Sequence, residues 1–174
     1  MKPKVISNVS CVKSKSFIHL FAYVSVSFLI MRKAVAEAKP GIKKGLAPFG
    51  AAIVKNGEVV TTAHNMVRST NDPTAHAEIV AIRRACKKLK TFELEHCSIY
   101  STCEPCLMCL SACFWANIRE IVFGASVEDA KNHGIRQIDV DYKKAKELFG
   151  GFFVITPGVL KDECVALFEE WKKR

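Results

Sequence analysis

Internal repeats, low-complexity tracts and a membrane-length apolar run are all absent from this 174-residue chain. The first two absences exclude a repeat array or a long disordered tract as the organising scheme. The longest mostly apolar run, Phe17 to Met31, falls short of the roughly 20 residues a spanning helix needs, so no stable membrane partner is expected. Acidic residues are scarce, with 17 Asp and Glu against 26 Lys and Arg and a net charge of +9. Such an excess suits an anionic partner, nucleic acid included. Residues 1–30, however, hold Lys2, Lys4, Lys13 and Lys15 with no acidic residue. The rest of the excess is dispersed over Arg83-Arg84, Lys87-Lys88, Lys143-Lys144 and Lys172-Lys173-Arg174, the pattern of solvated helix faces. Cysteine is not scarce. The 8 cysteines form an even count that could staple a small secreted protein, but a chain of this length buries a core without staples. Two of them also stand in a metal-binding spacing, which favours a reducing compartment and an expected cytoplasmic location.

The apolar run follows a lysine-dotted start and merges into the first helix of the domain. Residues 1–27 are read as an N-terminal extension of uncertain role and 28–174 as the functional domain. A membrane-associated segment, or a cleaved signal with Ala34-Val35-Ala36 as its cleavage site, are the alternatives, and Met31 could be the true start. From Phe28 to Lys44 apolar residues recur four apart at Ile30, Ala34, Ala38 and Ile42, a helix that Pro40 should bend or shorten. Residues 51–55 and 58–64 read as strands joined by an Asn56-Gly57 hairpin turn, and residues 65–71 as a polar loop. Asp72-Pro73 reads as a helix start, with Ile79, Ile82, Cys86 and Leu89 on the packed face. Residues 97–101 read as a strand, and Glu104-Pro105 opens a helix running to about Ala116. Residues 120–124 and 152–155 read as strands, 125–140 as a turn or short helix and a loop, and 141–149 and 161–173 as helices. Alternating strands and helices argue an α/β class, a sandwich with a mixed sheet.

Two motifs carry the chemistry. Thr74-Ala-His76-Ala-Glu78 supplies an imidazole and a carboxylate; Glu104-Pro105-Cys106-Leu-Met-Cys109 supplies two thiols at i and i+3. Catalytic zinc takes three protein ligands of nitrogen or sulfur and keeps a fourth position for water. His76, Cys106 and Cys109 are the candidate ligands, one zinc per chain. Glu78 shares the site without occupying the metal. That is the division of labour hydrolytic deamination requires: a metal that acidifies water and a carboxylate that carries its proton to the leaving nitrogen. A structural zinc is the competing reading, with Cys103 as fourth ligand through the overlapping Cys103-x-x-Cys106-x-x-Cys109 spacing. Cys103 precedes the proline that starts the helix and should point elsewhere.

With these motifs in view, the chain resembles the cytidine deaminase-like superfamily, and within it the guanine deaminase and tRNA adenosine deaminase branch. The resemblance spans about residues 28–174 and is densest in Pro48-Phe-Gly50, Asn71-Asp-Pro-Thr-Ala-His-Ala-Glu78 and Cys103-Glu-Pro-Cys-Leu-Met-Cys109. It implies a three-layer α/β/α sandwich on a mixed five-stranded sheet, with zinc between two helix N-termini, where the helix dipoles favour thiolates. It implies Glu78 as the proton carrier and Asn65, Phe49 and Ala77 as contacts to the base, with Trp115 near the pocket. Against base contact, an asparagine after a strand commonly makes a turn, Phe49 could be core, and Trp115 reads as a core residue that edges the pocket. Guanine deaminases of bacteria carry a Gly-Phe-Asp-Asp stretch whose second aspartate handles the purine. Gly134-Ile-Arg-Gln137 stands there in this chain, leaving Asp139 or Asp129 as substitutes.

The expected function is deamination of a purine base or nucleoside, guanine to xanthine first. Adenosine-to-inosine deamination in tRNA is the alternative, and a zinc-stabilised binding protein the non-enzymatic one. The resemblance also implies a homodimer, for which Phe168 and Trp171 on the last helix could serve. Cys86, Cys97, Cys113 and Cys164 read as small buried hydrophobes, and His64 as structural.

Overall fold

The computed structural model describes residues 17–138 and 140–174, with side chains from residue 24 onward. Residues 1–16, with Cys11, and Asp139 lie outside the described residues. A five-stranded mixed sheet runs in the order β2-β1-β3-β4-β5, built from β1 (Gly50–Lys55), β2 (Glu58–His64), β3 (Cys97–Cys103), β4 (Glu120–Ala125) and β5 (Val154–Thr156). β1 is antiparallel to both β2 and β3; β3, β4 and β5 run parallel. The Asn56-Gly57 turn, with positive φ at both residues, closes the hairpin because its twist matches that of the flanking strands.

Side-chain alternation along the strands divides the interior in two. Ala51, Ile53, Ile99 and Ile121 join one core with Ala77, Val80, Ala81 and Ala85 of α3 (Ala77–Leu89) and Leu110 and Cys113 of α4 (Leu107–Trp115). Ala52, Val54, Tyr100 and Val122 join the other, with Met31, Ala34, Ala38 and Ile42 of α1 (Phe17–Lys43) and Cys164, Leu167 and Phe168 of the C-terminal helix (Lys161–Lys172). The expected three-layer arrangement is therefore present. Two glycines permit its close approaches. A Cβ on Gly50 would lie 2.2 Å from the Ala34 carbonyl oxygen, and one on Gly124 would lie 2.2 Å from Cys164 Sγ. Helix and strand meet at both points with no room for a methyl group.

Several local expectations need correction. α1 begins at Phe17 and passes through Pro40 to Lys43. Pro40 lies on the exposed side, while buried Ala38 and Ile42 hold the helix to the sheet and outweigh the lost backbone bond. Residues 67–70 form a short helical turn, α2, rather than open loop. α3 starts at Ala77, not at Asp72-Pro73. Asp72 Oδ1 instead accepts from the Thr74 amide and hydroxyl at 2.8 and 2.6 Å, an Asx turn that competes with helix initiation. The packed face of α3 is chiefly alanine, with Ala77, Ala81 and Ala85 at 0% exposure, and Cys86 and Leu89 only half-buried. α4 likewise starts one residue past Cys106, at Leu107. α5 (Val127–Asn132), α6 (Tyr142–Leu148) and α7 (Lys161–Lys172) follow. Phe168 is fully buried in its own chain, which removes it from any intersubunit surface. Among the described residues, no helix is long and apolar enough to cross a membrane.

Candidate active site

The site lies where the N-termini of α3 and α4 meet. His76 and Cys106 are the N-cap residues of the two helices, both extended (ψ 156° and 168°), and neither makes a side-chain capping hydrogen bond. Caps ordinarily carry a Ser, Thr, Asp or Asn oxygen turned back on the helix. Here the backbone carbonyls start the helices, accepting from Val80 at 3.0 Å and Leu110 at 2.9 Å, and the imidazole and thiol remain free to converge. Cys109, in the first turn of α4, completes the group.

The three ligand atoms form a nearly equilateral triangle. His76 Nδ1 lies 3.7 Å from Cys106 Sγ and 3.6 Å from Cys109 Sγ, and the two sulfurs are 3.7 Å apart. Tetrahedral zinc with Zn–S of about 2.3 Å and Zn–N of about 2.0–2.1 Å requires S···S edges of about 3.8 Å and N···S edges of about 3.6 Å. The donor set therefore fits zinc in both chemistry and spacing, and it has three members: His76, Cys106 and Cys109 are the potential metal group found among the described residues. Cys103 stays outside, its buried thiol directed to the Ser126 carbonyl at 3.8 Å. The fourth-ligand route to a closed structural site is not built.

The metal-free cluster shares its protons unequally. The hydrogen bond from Cys109 lowers the Cys106 thiol to about 4; burial works against this, and the His76 ring reinforces it. Cys109, as the donor to Cys106, is pushed well above the ordinary thiol range. The bond to Cys106 raises His76. A cation entering this site displaces protons from it.

Glu78 stands in the first turn of α3, 6% exposed, and accepts from Ser101 Oγ at 2.9 Å. Burial raises its pKa, aided by Cys106 and opposed by His76, its own backbone amide and Ser101. Sequence reasoning missed Ser101, although the strand alternation that turns Ile99 toward α3 turns Ser101 the same way. A small pocket of about 20 Å³ opens beside Glu78, lined by Phe49, His76, Cys103, Glu104, Cys106 and Gln137. Glu104 and Gln137 were also missed. The first was read only as a helix opener and the second only as a departure from an expected aspartate.

The other anticipated residues distribute themselves unevenly. Phe49 lines the pocket and meets Phe168 edge-to-face at 5.9 Å. Asn65 is buried, and its Oδ1 accepts from Val67 N–H at 3.2 Å, so its carboxamide oxygen supports the turn into α2. Ala77 is fully buried as the first residue of α3. Trp115 is 77% exposed and packs on Phe114. It is neither core nor pocket lining, because it ends the last turn of α4 on the side away from the sheet. Asp129 caps α5 through Ser126 and pairs with Lys161 at 2.9 Å, which occupies its carboxylate. His64 pairs with Glu37 at 2.9 Å in a structural contact.

With this geometry established, similarity to known proteins decides the family. Residues 26–125 match the cytidine and deoxycytidylate deaminase zinc-binding region. The chain belongs to that deaminase family. It is 38% identical over 149 residues to a guanine deaminase of Bacillus subtilis, covering 82% of this chain and 91% of that protein. It is 40% identical over 137 residues to a tRNA-specific adenosine deaminase of Aquifex aeolicus, covering 71% and 91%. Among solved structures, a guanine deaminase from Nitrosomonas europaea superposes with a TM-score of 0.77 at 26% identity, covering 84% of this chain and 85% of that one. The chain is thus a deaminase of the cytidine deaminase family, with His76, Cys106 and Cys109 placed as zinc ligands; relatives at similar identity act on two different substrates.

Proposed function

We propose that this deaminase acts on a free purine base, converting guanine to xanthine and ammonia. The observation that carries the proposal is the pocket itself. Its lining sets an aromatic side chain, Phe49, together with Glu78, Glu104 and Gln137 beside the metal group, the mix of apolar and polar groups that a base requires.

In this reading His76, Cys106 and Cys109 hold zinc, which when bound lowers the pKa of water and so supplies a nucleophile at neutral pH. Phe49 covers one face of the ring, and the backbone at Ala77, with the amide of Asn65, fixes its edge. Glu78 acts as proton carrier, moving one proton from the attacking water to the ring nitrogen and then the remaining hydroxyl proton to the departing amine, which leaves as ammonia. Burial suits it to that work, since a raised pKa favours a carboxyl that holds the proton between the two transfers. Ser101 fixes its orientation.

The second reading, deamination of adenosine in tRNA, is supported by the Aquifex relative. The test is ammonia release from guanine, guanosine, adenosine, cytosine and a tRNA anticodon stem-loop at low and high salt. Turnover of guanine that is indifferent to salt supports the proposal. Turnover confined to the stem-loop and falling steeply with salt replaces it with the RNA reading. Zinc binding with no turnover on any of the five leaves a zinc-stabilised binding protein.

A further inference from the structure

Glu104 is the one buried side chain among the described residues with an unpaired polar atom. It is 5% exposed and lines the pocket two residues before Cys106. Its main chain is fixed, the amide donating to the Ala125 carbonyl at 2.8 Å at the end of β4. Oε2 accepts from Val127 N–H at 3.0 Å. Oε1 is buried and closes no hydrogen bond; burial raises the carboxyl's pKa, and the backbone N–H groups of Val127 and Tyr142, the latter at the start of α6, oppose it. Nearly all buried polar atoms in folded proteins are paired, and an exception calls for an explanation. Tying the segment after β4 to the β3–α4 loop needs one oxygen of Glu104, and Oε2 provides it. The second oxygen is surplus to that role, on a residue that lines the pocket.

We propose that Glu104 is a specificity-determining residue whose free carboxyl oxygen accepts a hydrogen bond from a ring N–H of the base, so that the pocket selects purines in the lactam form. This rests on the purine-base reading above and adds the edge by which the base is recognised. In a 2-amino-6-oxopurine the carbon bearing the amine is flanked by one protonated and one unprotonated ring nitrogen. Glu78 serves the unprotonated nitrogen as proton donor, and Glu104 accepts from the protonated one. A base with an unprotonated nitrogen at that second position turns a lone pair toward Glu104 and is rejected.

The test is Glu104→Gln with two substrates, guanine and 2-aminopurine, which share the leaving amine; 2-aminopurine lacks that ring N–H together with the 6-oxo group, and the comparison of each substrate between wild type and variant isolates what Glu104 reads. The carboxamide oxygen can keep the Val127 bond while the NH2 group faces the pocket, so an acceptor becomes a donor. The expected result is a loss of kcat/KM for guanine on the order of 10- to 100-fold, with 2-aminopurine unchanged or improved and zinc content and melting temperature retained. An equal loss for both substrates overturns the inference and makes Glu104 a brace. Wild-type protein inactive on both bases overturns the proposed function first, a distinguishable failure. Should Glu104→Gln not fold, the wild-type protein still decides through two competitive inhibitors that lack the leaving amine, hypoxanthine with the ring N–H and 1-methylhypoxanthine, which keeps the 6-oxo group without it. Hypoxanthine must bind at least tenfold tighter; equal inhibition overturns the inference.

Discussion

Replacing Glu78 by Gln separates chemistry from metal binding. The substitution preserves size, and the amide oxygen can still accept from Ser101, the 2.9 Å partner of Oε1. Glu78 is not one of the three grouped metal-ligand residues, so the variant should hold one zinc per chain. What disappears is the proton carrier. General acid–base catalysis by a positioned side chain is worth about 10²- to 10⁴-fold, or about 2.7 to 5.5 kcal/mol of barrier. The predicted loss in kcat on guanine therefore falls in that range, with KM little changed. Folding should not suffer, because burial already disfavours the charged carboxylate and a neutral amide removes that cost. The melting temperature should stay within about 4 °C of wild type, equivalent to about 1 kcal/mol for a chain of this size. Ammonia release, zinc determination and a thermal melt on the same preparation decide the matter. A variant that keeps more than a tenth of wild-type kcat with zinc bound would refute the assignment of Glu78. Loss of zinc would show that it belongs to the metal site.

Three further outcomes follow from the packing and the titrating groups. Gly124→Ala forces a methyl group onto Cys164, whose Sγ lies 2.2 Å and Cβ 2.8 Å from the added carbon; a cost of about 1–3 kcal/mol, read by denaturant unfolding, is expected. Phe168→Ala removes a fully buried ring at about 3–5 kcal/mol and releases Phe49 from its edge contact, so KM for the base should rise in whatever fraction stays folded. In the metal-free protein, burial raises both Glu78 and Glu104, so these two groups hold more protons in the folded chain than in the unfolded one above the ordinary carboxylate range. Their contribution to stability falls as pH rises from that range through the raised values, against the opposite contribution of Cys106, lowered to about 4; the difference between wild type and Glu78→Gln isolates Glu78, and a wild-type melting temperature that gains on the variant's as pH rises through the window would contradict this. Asp72 and Asp129 do not mask the effect, since the Thr74 bonds and the Ser126 and Lys161 contacts hold them below the ordinary range and their contributions lie at lower pH.

The α/β class, the hairpin at Asn56-Gly57 and the ligand trio were legible because each depends on local pattern. Strand alternation, a turn dipeptide and a fixed His and Cys spacing carry their meaning within a few residues. Helix starts were misplaced by two residues at Glu104-Pro105 and by four at Asp72-Pro73, for a related reason. The residues at the true caps, His76 and Cys106, are poor capping types, retained where a metal rather than the helix uses the side chain. Asp72-Pro73 has the composition of a cap but spends its oxygen on Thr74. Ser101, Glu104 and Gln137 were invisible because their neighbours in space come from other elements. Ser101 meets Glu78 across 23 residues, as Glu104 meets Val127. Trp115 failed in the opposite way: an apolar residue ending a helix was given to the core, whereas the turn carries it into solvent.

X-ray absorption at the zinc edge of the purified, metal-loaded protein tests the central claim most directly. The account predicts one zinc per chain, with two sulfur neighbours at about 2.3 Å, one imidazole nitrogen at about 2.0–2.1 Å and one further oxygen, as required of an open catalytic site. A shell of three sulfurs and one nitrogen would place Cys103 on the metal, close the site and contradict the account.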